Sequence, residues 1–191
     1  MKKWLLMVWG GAGLLACTDY TPKPRGYLRI ERPEVVYDWL SADTLPFRFQ
    51  IPNPTVCSFP AAPAGEVWLN VDYPDWQATL YCSCFPVTPA TWTHAVAESR
   101  RFVERQLSAA VQAKEQDYVD EERQVYGTLF RLEGETTTPI QFLLTDRSTR
   151  FFRGALHYAC HPAADSLAPV THYLEQDVVV LMQSFHWQKQ P

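Results

Sequence analysis

The 191 residues carry 47% hydrophobic and 14% aromatic side chains, which excludes a disordered chain and is enough for one well-filled core. The 17 basic against 21 acidic residues give a net charge of −4, which argues against nucleic acid and against a polybasic grip on anionic lipid. Five cysteines, Cys17, Cys57, Cys82, Cys84 and Cys160, raise the question of the redox compartment.

The chain opens on Met1-Lys2-Lys3 and an apolar run from Trp4 to Ala16, interrupted only by Gly10, Gly11 and Gly13. That run is too short to span a bilayer, which needs about 20 residues, and fits the core of an export signal. It ends Leu14-Leu15-Ala16-Cys17, a pattern that signal peptidase II cleaves before the cysteine, because its site admits only a small residue beside the scissile bond. Residues 1–16 are therefore expected to leave, and Cys17 to carry the lipid anchor. Acyl chains hold a protein to a membrane at about 0.8 kcal/mol per buried methylene. Lys2 and Lys3 depart with the signal, so 15 basic and 21 acidic residues remain, a net charge of −6.

Residues 17–25 form a tether whose Pro22 and Pro24 favour extended backbone. Residues 26–191 are expected to form a single domain. Tyr27-Leu28-Arg29-Ile30 alternates as a short strand, and so does Phe47-Arg48-Phe49-Gln50-Ile51. Pro52, Pro54, Pro60 and Pro63 place Cys57 in a loop. Residues 67–71 and 78–82 flank Asp72-Tyr73-Pro74-Asp75 and predict an antiparallel hairpin. The spacing of Trp92, Ala95, Val96, Phe102, Val103, Leu107 and Ala110 predicts a helix over residues 88–114, with Thr91 as its cap. A charged linker, residues 114–123, then leads to strands at 125–133, 140–145 and 151–158. A last helix is predicted from about 166 to 185, capped by Asp165 or Ser166, with Pro169 in its first turn. Strands, a helix, more strands and a helix make an α+β domain, a largely antiparallel sheet with two main helices packed on it, of the kind found in the Mog1/PsbP-like group.

Chemistry is sparse. Isolated glycines leave no phosphate-cradling loop, and there is no nucleophile elbow. His157, Cys160 and His161, with Cys82 and Cys84, fit no zinc signature. Asp165, Ser166 and His172 can be written as a triad, but the first two serve better as helix caps. Cys82 and Cys84 share a strand face and cannot easily bond each other. Either pairs with Cys57 or Cys160, or the thiols stay free. Asp177 falls on the apolar stripe of the last helix, where an arginine such as Arg153 would neutralise it; a binding role is the other reading.

Several segments in order resemble the gliding-motility lipoprotein GldD of Bacteroidota. They are Pro22-Lys23-Pro24-Arg25-Gly26, Trp68-Leu69-Asn70-Val71-Asp72-Tyr73-Pro74, Val125-Tyr126-Gly127, Gln141-Phe142-Leu143-Leu144-Thr145-Asp146, Phe152-Arg153-Gly154-Ala155-Leu156 and Asp165-Ser166-Leu167-Ala168-Pro169. Residues 34–66 match poorly, Arg147 departs locally and the cysteine set is particular to this chain. The resemblance implies a periplasm-facing accessory of the gliding and type IX secretion machinery, without a catalytic site or cofactor. On this reading the chain is a binding or scaffold module whose partners are machinery proteins and, through the lipid, the membrane. Candidate contact residues are Lys23, Arg25, Asp146 and Arg153, on the tether and loops where binding surfaces concentrate. A periplasmic small-ligand carrier, with a pocket between helix and sheet, and an unrecognised hydrolase or metal enzyme are the alternatives.

Overall fold

Alternation with a period of two dominates the chain, and strands carry most of it. The computed structural model describes residues 34–159 and 164–188. In chain order the elements are β1 (Val36–Leu40), β2 (Phe47–Asn53), β3 (Val56–Ser58), β4 (Val67–Tyr73), β5 (Ala78–Pro86), α1 (Trp92–Glu104), β6 (Val111–Asp120), β7 (Val125–Gly134), β8 (Ile140–Thr145), β9 (Arg150–Tyr158), α2 (Ala164–Ser184) and β10 (His186–Trp187). The export signal, the tether, the strand expected at Tyr27–Ile30, and Cys17, Lys23, Arg25, Cys160 and His161 lie outside the described residues.

Seven strands form one antiparallel sheet in the order β3-β4-β5-β9-β8-β7-β6. A second, three-stranded sheet runs β1-β2-β10. The helices take opposite faces of the large sheet. α2 and the small sheet cover one, where Phe47, Phe49, Phe152 and Phe185 pack ring against ring at centroid distances of 4.9–6.0 Å. α1 covers part of the other, burying Ala95 and Val103 against Phe130, Leu132, Leu143 and Phe151. The interior strand β8 is buried on both faces and reads as a nearly continuous apolar run. This is the expected α+β arrangement. No helix among the described residues is long and apolar enough to cross a membrane.

The hairpin of β4 and β5 forms in the expected place, closed by a single helical turn at Pro74–Trp76. Five expectations change. The helix predicted over 88–114 stops at Glu104, and the supposed charged linker is the ten-residue strand β6. The Ser108 hydroxyl accepts the backbone N–H groups of Ala110 and Val111, each at 3.1 Å, which turns the chain where Leu107 and Ala110 extend the helical spacing. β6 then sits at the sheet edge with Val111 and Ala113 packed on the α1 core, while Lys114, Glu115 and Asp117 stay exposed. Charges on an edge keep other chains from pairing there. Thr91 precedes α1, but its hydroxyl accepts from Thr88 N–H instead of capping the helix. Cys57 is in strand β3, paired with Val71, not in a loop. Finally, α2 begins at Ala164, which puts Pro169 beyond the first turn.

Candidate functional site

α1 lies over β8 and β9 and leaves Trp68 of β4 and Tyr81 of β5 exposed beside it. The result is a groove of about 690 Å³ between the helix and the sheet. Side-chain alternation builds its floor in two rows across three strands. Tyr81, Ala155 and Gln141 are cross-strand neighbours in one row, and Ser83, Arg153 and Leu143 in the next. Trp68 and Asn70 of β4 extend the floor outward, and Glu98, Phe102 and Gln106 of α1 form the wall. Trp68, Tyr81 and Phe102 stay 39%, 51% and 37% exposed, an unusual amount of aromatic surface to leave in water along one cleft.

Arg153 is the cation of the groove. Its Nε donates to Ser83 Oγ at 3.2 Å, and its guanidinium carbon stands 5.5 Å from the Phe85 ring centroid and 5.1 Å from that of Phe102. The rings hold the charge by cation–π attraction. Its Nη1 is nonetheless buried without a hydrogen-bond partner among the described residues, and so is Nε2 of Gln141. An orphaned buried donor costs about 1–3 kcal/mol, so two in one cleft mark a place where an acceptor belongs.

The remaining expected residues are elsewhere. Asp146 closes the β8–β9 turn: its Oδ1 accepts the N–H groups of Ser148, Thr149 and Arg150 at 2.8, 2.7 and 2.9 Å, and its Oδ2 the Thr149 hydroxyl. Burial works against its charge, yet these donors hold the carboxyl below the usual carboxylate range. It lines the turn and not the groove. Cys57, Cys82 and Cys84 carry free thiols. Cys82 and Cys84 face the α2 core together, as their spacing requires. Burial pushes the Cys82 thiol far up and that of Cys84 up to about 12, while burial and the nearby Asp72 raise Cys57. Among the described residues no three His, Cys, Asp or Glu side chains gather as metal ligands. The side chains of Asp165 and Ser166 lie outside the described residues; His172 stands 3.1 Å from Gln176 on α2.

The pairing of Asp177 with Arg153 does not occur. Arg153 shares the face of Phe151 and Ala155, toward α1, whereas α2 packs on the side of Phe152 and Leu156. Asp177 instead accepts the Tyr37 hydroxyl at 2.7 Å, tying β1 to α2. Gln141 was absent from the expected site residues, although a lone amide inside the apolar run Ile140–Leu144 is the signal that could have found it.

A solved structure similar to this chain is the solution structure of cyanobacterial PsbP (CyanoP) from Synechocystis sp. PCC 6803, at 13% identity, covering 87% of this chain and 100% of that one, with a TM-score of 0.45. No curated protein matches the sequence. The profile of one family, described as gliding motility lipoprotein GldD, matches residues 17–187. That span runs from the expected lipidation cysteine through the groove and α2 to β10, and the chain belongs to the gliding motility lipoprotein GldD family.

Proposed function

We propose that this lipoprotein is a non-catalytic binding module of the gliding and type IX secretion machinery, anchored through Cys17 and facing the periplasm. Its groove between α1 and the sheet receives a segment of a machinery protein. The observation that carries this reading is the groove itself, with its exposed aromatic side chains and two buried donors without acceptors. The two serine hydroxyls along it are engaged in holding the site: Ser99 donates to the Ala95 carbonyl, and Ser83 accepts from Arg153. That pattern suits recognition better than nucleophilic attack. Anchoring adds to it, because confinement raises the effective concentration of a partner without any new contact.

A photo-crosslinking residue placed at Tyr81 in living cells tests the reading, with Lys114 on the far sheet edge as the control position. Gliding or type IX secretion components should be trapped from position 81, not from 114, and the yield should fall when Cys17→Ala removes the anchor. Equal trapping from both positions, or none from 81, would overturn the groove as the contact surface.

A further inference from the structure

Resting on the groove as the contact surface, we infer that its floor binds a carboxylate, and that the occupant is the carboxy-terminal end of a partner chain whose last side chain is apolar or aromatic.

The geometry begins with the sheet register. Gln141 on β8 stands opposite Ala155 on β9, and Arg153 is two residues along the same strand face. Such diagonal positions are about 7–8 Å apart at Cα, well within reach of two long side chains. The unpartnered Gln141 Nε2 and Arg153 Nη1 therefore belong to side chains on one face of adjacent strands, and both residues line the groove. A carboxylate has two oxygens with about four acceptor sites, so one group can satisfy both donors. Between them only Ala155 projects from the floor of that row, which leaves room for the acid.

Charge selects among anions. The Arg153 guanidinium makes no ion pair within 4 Å among the described residues. One cation and one neutral amide match a single negative charge. Glu66 and Glu98 also line the groove, so any anion meets like charges there, and a dianionic phosphate meets about twice the repulsion of a carboxylate. The Arg153 guanidinium is held in advance by Ser83 and by the rings of Phe85 and Phe102, so little ordering remains to be done when the ligand arrives.

Depth selects a chain end. Gln141 is 8% exposed, and both orphaned nitrogens are themselves buried, beneath a rim of partly exposed Trp68, Tyr81 and Phe102. An acidic side chain in mid-segment would have to bring backbone down on both sides to reach them. A terminal carboxylate enters end first, laying its last side chain on the aromatic rim and its preceding backbone past Asn70. The volume, about 690 Å³, exceeds what a small free acid fills.

The test uses the full-length lipoprotein in detergent micelles and N-acetylated hexapeptides with five randomised positions and Phe, Leu or Trp last. Each set is made as the free acid, as the carboxamide, and as a carboxamide with one internal Asp. Peptide retained after dialysis is counted by mass spectrometry. Free-acid peptides should be retained about tenfold or more over both amide sets, the usual consequence of leaving a buried charge without its partner. Arg153→Met, which keeps an apolar stem between the two rings, and Gln141→Leu should each abolish that preference. Where either variant is shown by circular dichroism to be unfolded, the acid-against-amide comparison on the unaltered protein still decides. Equal retention of acid and amide overturns the inference, as does retention of no peptide. Binding of decanoate or hydrocinnamate with the same Arg153 dependence, but of no peptide, overturns it in favour of a small-acid carrier. Trapping of machinery proteins at position 81 without any carboxylate preference would sink the inference and leave the proposed function standing. Carboxylate-selective peptide binding without trapping would leave the carboxylate site standing and overturn only the machinery proteins as its partners.

Discussion

Gly154 occupies the middle of β9, directly opposite Phe142 on β8 and Cys82 on β5. A Cβ at this position would stand 2.4 and 2.6 Å from two carbons of the Phe142 ring and 3.2 Å from the Cys82 sulfur. Phe142 thus covers the bare backbone of its neighbour, and the ring is itself 2% exposed and 5.9 Å from Phe152. Gly154→Ala must displace the far end of a ring that is packed in the core. Overpacking of this kind costs about 1–3 kcal/mol, while loss of glycine's freedom in the unfolded chain returns about 0.5–1. Taking the middle of each range, the net loss is about 1 kcal/mol, or a Tm lower by about 2–4 °C for a domain of this size. Gly127 offers an internal comparison. Its Cβ would stand 2.1 Å from the backbone oxygen of Leu143, which cannot rotate away as a ring can, so Gly127→Ala should cost more than Gly154→Ala. Urea and thermal unfolding followed by circular dichroism give both values. In a Phe142→Leu background the Gly154→Ala penalty should shrink, because the clashing ring atoms are gone. Additive losses at 154 and 142, or a Gly154→Ala protein as stable as its parent, would refute the reasoning.

Tyr37→Phe removes the hydroxyl that donates to Asp177 and should destabilise the fold by about 1–3 kcal/mol in urea unfolding; an unchanged midpoint would mean that this bond does not hold β1 to α2. Asp146→Asn tests the turn. A carboxyl held below its ordinary value stabilises the fold above the unfolded pKa of about 3.9, and that contribution disappears as pH falls through the lower native value. The variant should therefore be weaker near neutral pH and lose less on acidification, and an identical acid limb would contradict the geometry. Iodoacetamide at mildly alkaline pH should leave Cys82 and Cys84 unlabelled in the native protein and mark both in denaturant, since burial suppresses their thiolates. Rapid native labelling of Cys82 would show that its strand opens.

The strands β7, β8 and β9 were legible because each is buried along most of its length, so apolar residues announce them. β6 was not, because an edge strand buries little more than Val111 and Ala113 and keeps its charges outward, a pattern that reads as a linker. The end of α1 was hidden for a related reason. Leu107 and Ala110 continue the helical spacing, and only the hydrogen bonds to Ser108 show the chain turning. β1 and β3 lay in the proline-rich stretch, too short and too exposed for periodicity to register.

For the site, the difficulty was parity. Arg153 stood out in the sequence as a candidate contact, and its assignment to Asp177 was reasonable without knowledge of which face α2 takes. The segment Phe152-Arg153-Gly154-Ala155-Leu156, quoted for its family resemblance, takes a physical meaning once the register is known. Phe152 and Leu156 fill the α2 core, and Gly154 between them makes room for Phe142. Arg153 and Ala155 face the other way, the first supplying a fixed cation and the second keeping the floor low beside Gln141. One strand thus serves a core on one side and a cleft on the other. Gly154 is required by packing and Ala155 by the cleft, so two small residues that look interchangeable in sequence answer to different constraints. Gln141 could be recognised only through its diagonal relation to Arg153, which no single strand contains.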